Sequence, residues 1–277
     1  MPNPFFSVVI PTLNEEQFIP FILRDLQKQN DKDFEIIIVD ALSTDKTKDV
    51  ITSFERKLNL KLYSADKRNV SFQRNYGASK GHGLYLLFLD ADTRIRPSFI
   101  KISKKIIESK KGLVFIPRIV SDVGGSQVDM LFQFINFLLE LSISIGKPFS
   151  SGGNMIIERS FFNHLGGFDE NIFMSEDHHL IQKAYDWGVR PKMASKLSLI
   201  YSLRRLKAEG RLKFMYKNLI AITHTLFRGA VRRKLFEYEM GGQIYSTTYF
   251  RQKIKSNSLR SFIGQIKESF VSILKEE

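Results

Sequence analysis

The run Glu35-Ile36-Ile37-Ile38-Val39-Asp40 constrains this chain more than any other feature. Its consecutive branched apolar residues suit an extended strand, in which successive side chains point to opposite faces. Both faces must then be dry, the condition met in a parallel sheet covered by helices on each side. The neighbouring sequence repeats the pattern. Phe5 to Pro11 reads as a first strand, Phe34 to Val39 as a second, Leu60 to Tyr63 as a third and Leu84 to Leu89 as a fourth. Helical patterns fall between them at Glu15 to Gln29, Thr44 to Leu58 and Ser71 to Lys80. Strands alternating with helices predict an α/β fold built on a mostly parallel sheet.

The second half is less regular. Gly112 to Ser121 reads as a strand, Asn154 to Glu158 follows the loop Ser150-Ser151-Gly152-Gly153, and Glu176 to Trp187 reads as a helix with Trp187 facing the core. Val128 to Ile145 is the most apolar stretch, but Asp129, Gln133, Asn136 and Glu140 interrupt it. A bilayer span needs about 20 mostly apolar residues. Those four polar residues recur every three or four positions, which describes one wet stripe on an apolar helix. Such a helix can cap the core, line an acceptor groove or lie on a membrane.

Absence of cysteine among the 277 residues excludes a disulfide framework, a thiolate zinc site and a catalytic thiol. The amino terminus runs straight into the first strand, so no secretory signal is expected and the expected location is cytoplasmic. Formal charge is +13, and from Tyr201 onward 16 Lys and Arg face 6 Asp and Glu. The expected organisation is a catalytic domain over residues 1–205 and a basic helical extension over 206–277. Such a basic segment suits phosphates, an anionic membrane surface or nucleic acid.

In open parallel sheets, ligands bind outside the carboxyl ends of the strands. Those ends read Pro11-Thr12-Leu13-Asn14-Glu15, Asp40-Ala41-Leu42-Ser43-Thr44-Asp45 and Asp90-Ala91-Asp92. Each has a local explanation, since Asn14, Ser43 or Thr44 can cap a helix and Asp favours turns. Three polar, acid-bearing clusters on one edge point instead to a site. Asp90 and Asp92 suit a hard divalent cation, Mg²⁺ or Mn²⁺, which favours carboxylate oxygen and bridges to substrate phosphates.

The ordered set Val8 to Glu16, Val39-Asp40 with Ser43-Thr44-Asp45, Arg74 to Ala78, Phe88 to Asp92, Gly166 to Asp169 and Ser175-Glu176-Asp177 resembles family 2 glycosyltransferases with the GT-A fold. The resemblance runs over about residues 5 to 205. It implies an inverting transferase that takes a sugar from a nucleotide-diphosphate donor, of UDP or GDP type, to a hydroxyl acceptor. Pro11, Thr12, Asn14 and Glu15 would then line the nucleoside pocket, Asp40 would meet the base and Arg74 the phosphate side. Asp92 would be the main metal ligand, with Asp90 beside the ribose or the metal, and Asp177 the general base. The chain departs from the family at Ala41-Leu42, where many relatives carry a glycine pair. Tyr201 to Arg205, followed by Gly210, resembles a Ser-x-Arg-Arg stretch of one branch, which implies that Arg204 or Arg205 grips a phosphate. Gly153 and Asn154 are expected on the acceptor side, with Glu176 beside the base. His179 is a weaker candidate for the metal.

Two other classes fit less well. A sugar-phosphate nucleotidyltransferase should carry a glycine-rich loop after the first strand, and Pro11 to Glu15 contains no glycine. A nucleic-acid binder would account for the basic tail, but no helix-turn-helix, zinc-finger or stacking signature accompanies it, so no nucleic-acid partner is expected. Phe214, Met215, Leu219, Ile222, Leu226 and Phe227, flanked by Lys and Arg, suit peripheral attachment at a membrane's inner face; a homo-oligomer interface would explain the same pattern.

Overall fold

The computed structural model describes residues 3–202 except 123 and 151, together with 204, 232, 241 and 242. Expectations that rest on Arg205 and on most of 206–277 lie outside the described residues. In chain order the elements are β1 (Phe6–Thr12), α1 (Ile19–Gln27), β2 (Phe34–Asp40), α2 (Thr47–Thr52), β3 (Leu60–Ser64), α3 (Val70–Lys80), β4 (Tyr85–Phe88) and β5 (Arg94–Ile95). They continue as α4 (Phe99–Lys110), β6 (Val114–Ser121), α5 (Ser126–Ser144), β7 (Met155–Glu158), α6 (Arg159–His164), α7 (Glu176–Asp186) and β8 (Lys192–Tyr201).

The strands form one sheet in the order β3-β2-β1-β4-β7-β6-β8-β5. Pairs β3/β2, β2/β1, β1/β4 and β6/β8 are parallel, while β4/β7, β7/β6 and β8/β5 are antiparallel. The first four strands carry the dry runs. Val8, Ile10, Ile36 and Ile38 pack on one face with Ile22 and Leu26 of α1 and Ile100 of α4. Val9, Leu86 and Phe88 pack on the other with Leu139 of α5 and Leu180 of α7. Alternate residues of one strand thus enter different cores, which is why the sequence shows no polar alternation. Burying each such side chain contributes about 2 kcal/mol.

Register puts the polar ends together. Thr12 pairs with Asp40, and Phe88 pairs with Val9, so Asp90 continues to the same edge. The helices expected after β1 and β2 start later and are shorter. Asn14 adopts a left-handed φ of 52°, and the N–H groups of Asn14, Glu15 and Glu16 donate to Ser43 Oγ, Thr47 Oγ1 and Asp45 Oδ2. The left-handed backbone at Asn14 interrupts any helix running through it. Neither Asn14 nor Ser43 caps a helix, since the N-cap of α1 is Phe18 and that of α2 is Lys46, neither with a side-chain cap.

Trp187, expected in the core, is 57% exposed and lies edge-on to His164 at 4.4 Å. It is the C-cap residue of α7, where the helix turns away from the sheet. β8 was not read from the sequence, although Leu197, Leu199 and Tyr201 carry a period of two. α4 was also missed, despite a buried stripe of Ile100, Ser103, Ile106 and Ile107.

Candidate active site

Asp40, fully buried, accepts from Thr12 Oγ1 at 3.2 Å, from Ser43 N at 3.0 Å and from the Ser43 hydroxyl. Asn14 Oδ1 accepts from Thr44 N at 2.7 Å. Gln73 of α3 donates to the carbonyls of Thr12 and Val39 at 2.9 and 2.7 Å, fastening the helix beneath both strand ends. Gln73 carried no role in the sequence reading; its buried amide next to Arg74 is recognisable only once α3 is packed. Leu42 sits at φ 61° and is 45% exposed, so an apolar side chain in a strained left-handed turn flanks Asp40.

Arg74 joins the two halves of the site. Its Nη2 donates to Asp90 Oδ1 at 2.8 Å and its Nη1 to Glu176 Oε1 at 2.6 Å. It is only 3% exposed, and its guanidinium lies 5.4 Å from the Phe168 ring. Burial works to lower its pKa, but the charges of Asp90, Glu176 and Asp177 overcome this and hold it above the ordinary arginine value. Glu176 is raised as well: burial pushes its carboxyl up, against the pull of Arg74, while Asp177 adds to the rise. Both terminal nitrogens of Arg74, the residue expected toward the donor phosphates, meet these carboxylates.

The loop before β7 is built around the same guanidinium. A Cβ on Gly153 would lie 1.7 Å from Arg74 Nη2, so only glycine allows the backbone this close. Asn154 is fully buried and turned inward: its Oδ1 accepts from Asp90 N at 2.9 Å and Thr93 Oγ1 at 3.1 Å, and its Nδ2 donates to Asp90 Oδ2 at 3.2 Å.

Arg204 closes the opposite side. It makes a paired contact with Glu15 at 2.7 and 2.8 Å, and its Nε lies 2.8 Å from Asp92 Oδ2. The guanidinium stacks 4.3 Å from the Phe18 ring. Burial pushes the Glu15 carboxyl up to about 7, although Arg204 pulls it down; Asp92 and Asp90 add to the rise. Glu15, Asp90 and Asp92 therefore share one electrostatic field. Gly242 N donates to Leu13 O at 3.0 Å against this same edge.

Asp177 opens α7 and is 5% exposed, yet its Oδ2 has no hydrogen-bond partner among the described residues. The nearest cationic candidate, His178 Nδ1, stands 3.7 Å away. That nitrogen accepts from Ser150 N at 3.0 Å, so it carries no proton to offer Asp177. Ser175, the N-cap of α7, sits at φ 66° and makes no side-chain cap. The carboxylates at this helix start are therefore not explained by capping. His179 faces Asp169, Arg232, Lys183 and Asp186 instead, and burial lowers its pKa. No group of three or more His, Cys, Asp or Glu suited to hold a metal occurs among the described residues.

A mostly parallel sheet whose polar strand ends converge on buried acids and guanidinium groups defines an α/β protein with a candidate ligand site at the carboxyl edge of its strands. More narrowly, the chain belongs to glycosyl transferase family 2, whose family model matches residues 7–166. It is 25% identical over 211 residues to the poly(ribitol-phosphate) β-N-acetylglucosaminyltransferase TarS of Staphylococcus aureus, covering 72% of this chain and 36% of that protein. The dolichyl N-acetyl-α-D-glucosaminyl phosphate 3-β-D-2,3-diacetamido-2,3-dideoxy-β-D-glucuronosyltransferase of Methanococcus voltae is 35% identical over 105 residues, 35% of this chain and 32% of that one. The chain thus spans about a third of the length of these curated relatives. Among solved structures, S. aureus TarS in complex with UDP-GlcNAc superposes with a TM-score of 0.59 at 24% identity, over 71% of this chain and 58% of that one. A mannosyltransferase of Pyrobaculum calidifontis in complex with GDP-Man and Mn²⁺ gives 0.61 at 15% identity, over 100% and 77%. Both likenesses bear on the fold, that of GT-A glycosyltransferases.

Proposed function

We propose that this chain transfers a sugar from a nucleoside-diphosphate sugar to a hydroxyl acceptor, inverting the anomeric centre in one displacement. The observation that carries the reading is Asp177, a buried carboxylate with one oxygen that has no hydrogen-bond partner among the described residues, beside the Arg74, Asp90 and Glu176 network. An unpaired buried carboxylate oxygen costs free energy unless a ligand group meets it. An incoming hydroxyl is such a group. Its proton goes to Asp177 as its oxygen bonds to the anomeric carbon. The bond from that carbon to the donor phosphate breaks, and the nucleoside diphosphate leaves with the electron pair.

The donor end lies along Thr12, Asn14, Glu15 and Asp40. The residues fit a divalent cation, Mn²⁺ or Mg²⁺: Asp92, with Asp90 beside it, would hold the ion through carboxylate oxygen. When bound, it supplies neutralisation of the diphosphate charge that grows on bond cleavage. Arg204, whose nitrogens meet Glu15 and Asp92, would exchange those carboxylates for donor phosphate, which its planar fork suits. Leu42, beside Asp40, shapes the rim where the base would sit.

Nucleotide sugars carrying UDP and GDP, incubated with and without Mn²⁺, test the reading. Metal-dependent release of one nucleoside diphosphate is expected, weakened for donor affinity by Arg204→Ala. Release of pyrophosphate from a nucleoside triphosphate, or turnover of no donor, would overturn it.

A further inference from the structure

We propose that the outward face of α5 is a lipid-docking surface that seats the chain on an anionic bilayer. This helix has two apolar faces. Phe132, Leu139 and Ile143 turn inward, and Asn136 bonds the backbone of Ile119 and Phe132. Met130, Phe134, Phe137, Leu138, Leu141 and Ile145 turn outward, from 42% exposed at Leu141 to 66% at Ile145. At 100° per residue the six fall within an arc of about 100° and run about 22 Å along the axis. Asp129, Gln133 and Glu140 keep to one flank of that arc. A contiguous exposed patch of this kind marks an interaction surface, whereas single exposed apolar residues do not.

Charge selects the occupant. A formal +13 attracts an anionic surface and repels a second copy of the chain. The excess is strongest after Tyr201, with 16 Lys and Arg against 6 Asp and Glu from there on. Tyr201 itself packs with Ile119, Phe132, Val128 and Ile135 against the amino-terminal half of α5. At the other end Lys147 is exposed, and Arg190 donates to the carbonyls of Ile143 and Ser144, both at 3.2 Å. Apolar stripe and basic surroundings together suit a helix lying in the headgroup region. Among the described residues no helix is long and apolar enough to cross a membrane, so the stripe is a docking surface and not a span. Ile145 lies five residues before Ser150, at most about 19 Å away, so a docked stripe keeps the loop beside Asp177 near the bilayer.

Flotation of the full chain with phosphatidylcholine vesicles, with and without phosphatidylglycerol, tests this. The wild type should float with the anionic vesicles. Phe134→Ser with Phe137→Ser, and separately Met130→Ser with Ile145→Ser, should each reduce the floated fraction about tenfold or more. Leu84→Ser, an exposed apolar change away from α5, should float like the wild type. Nucleotide-sugar hydrolysis should be unchanged in all of these variants, which separates failure of docking from failure of the transferase reading. The proposal is overturned if the wild type stays unbound, if both stripe variants float as well as the wild type, or if Leu84→Ser loses flotation equally. It is also overturned if light scattering shows a dimer that the stripe variants dissolve.

Discussion

Two adjacent acids at the start of α7 take opposite roles because of what each touches. Glu176 is tied to Arg74 at 2.6 Å, whereas Asp177 keeps Oδ2 unpaired. Asp177→Asn preserves shape and removes the base, so kcat should fall by about 10²- to 10⁴-fold with donor affinity unchanged. Equal loss of donor binding would argue against the assignment. His178 holds the loop to this helix by accepting from Ser150 N, with Phe149 edge-on to its ring at 5.0 Å. Asparagine can present an oxygen near the same point and leucine cannot. His178→Leu should therefore lower kcat more than His178→Asn; steady-state assays giving equal losses would contradict a positioning role. Glu15 gives a stability prediction. Its folded carboxyl titrates near 7 against an ordinary 4.5, so the folded state holds the proton more tightly in between. Its stabilising contribution is full below pH 4.5 and is lost as pH rises through 7, to the extent of about 3 kcal/mol. Melting curves of wild type and Glu15→Gln, taken from pH 5 to pH 8, should diverge, with the wild type losing more. Parallel curves would contradict the shift.

At the scale of elements, the strands were legible because dry runs such as Ile36 to Val39 have no other stable environment. Helix starts after β1 and β2 were not, because Asn14 and Leu42 turn into left-handed backbone there and the N–H groups of residues 14–16 bond to side chains of the loop and helix after β2. Local sequence carries no sign of that. The acid clusters were legible as residue types, but not their partners: Arg74 and Glu176 meet across 102 positions, a pairing set by how α3 and α7 pack on the sheet. Gly77 shows how close α3 lies, since a Cβ there would be 2.5 Å from Val9 Cγ1. Gly77→Ala should cost about 1–3 kcal/mol in urea unfolding through overpacking; an unchanged midpoint would contradict it. Gly153→Ala acts differently, forcing Arg74 off Asp90, and should impair donor turnover more than stability.

Across the whole molecule, distant segments return to one edge of the sheet. Arg204 bridges Glu15 and Asp92, Arg232 lies 2.8 Å from Asp169, and Gly242 meets Leu13. The sequence showed the basic excess after Tyr201 but not that parts of it contact the acids of the catalytic sheet, a long-range pairing that charge counts cannot reveal. What makes these contacts functional is the claim that Asp92 and its neighbours hold a metal-bound diphosphate apart from the base. Calorimetric titration of UDP and GDP, with and without Mn²⁺, tests that claim most directly. Metal-dependent binding of one nucleotide is expected, weakened at least about tenfold by Asp92→Asn and kept by Asp177→Asn. Binding that ignores the metal and survives Asp92→Asn, or no binding of either nucleotide, would contradict it.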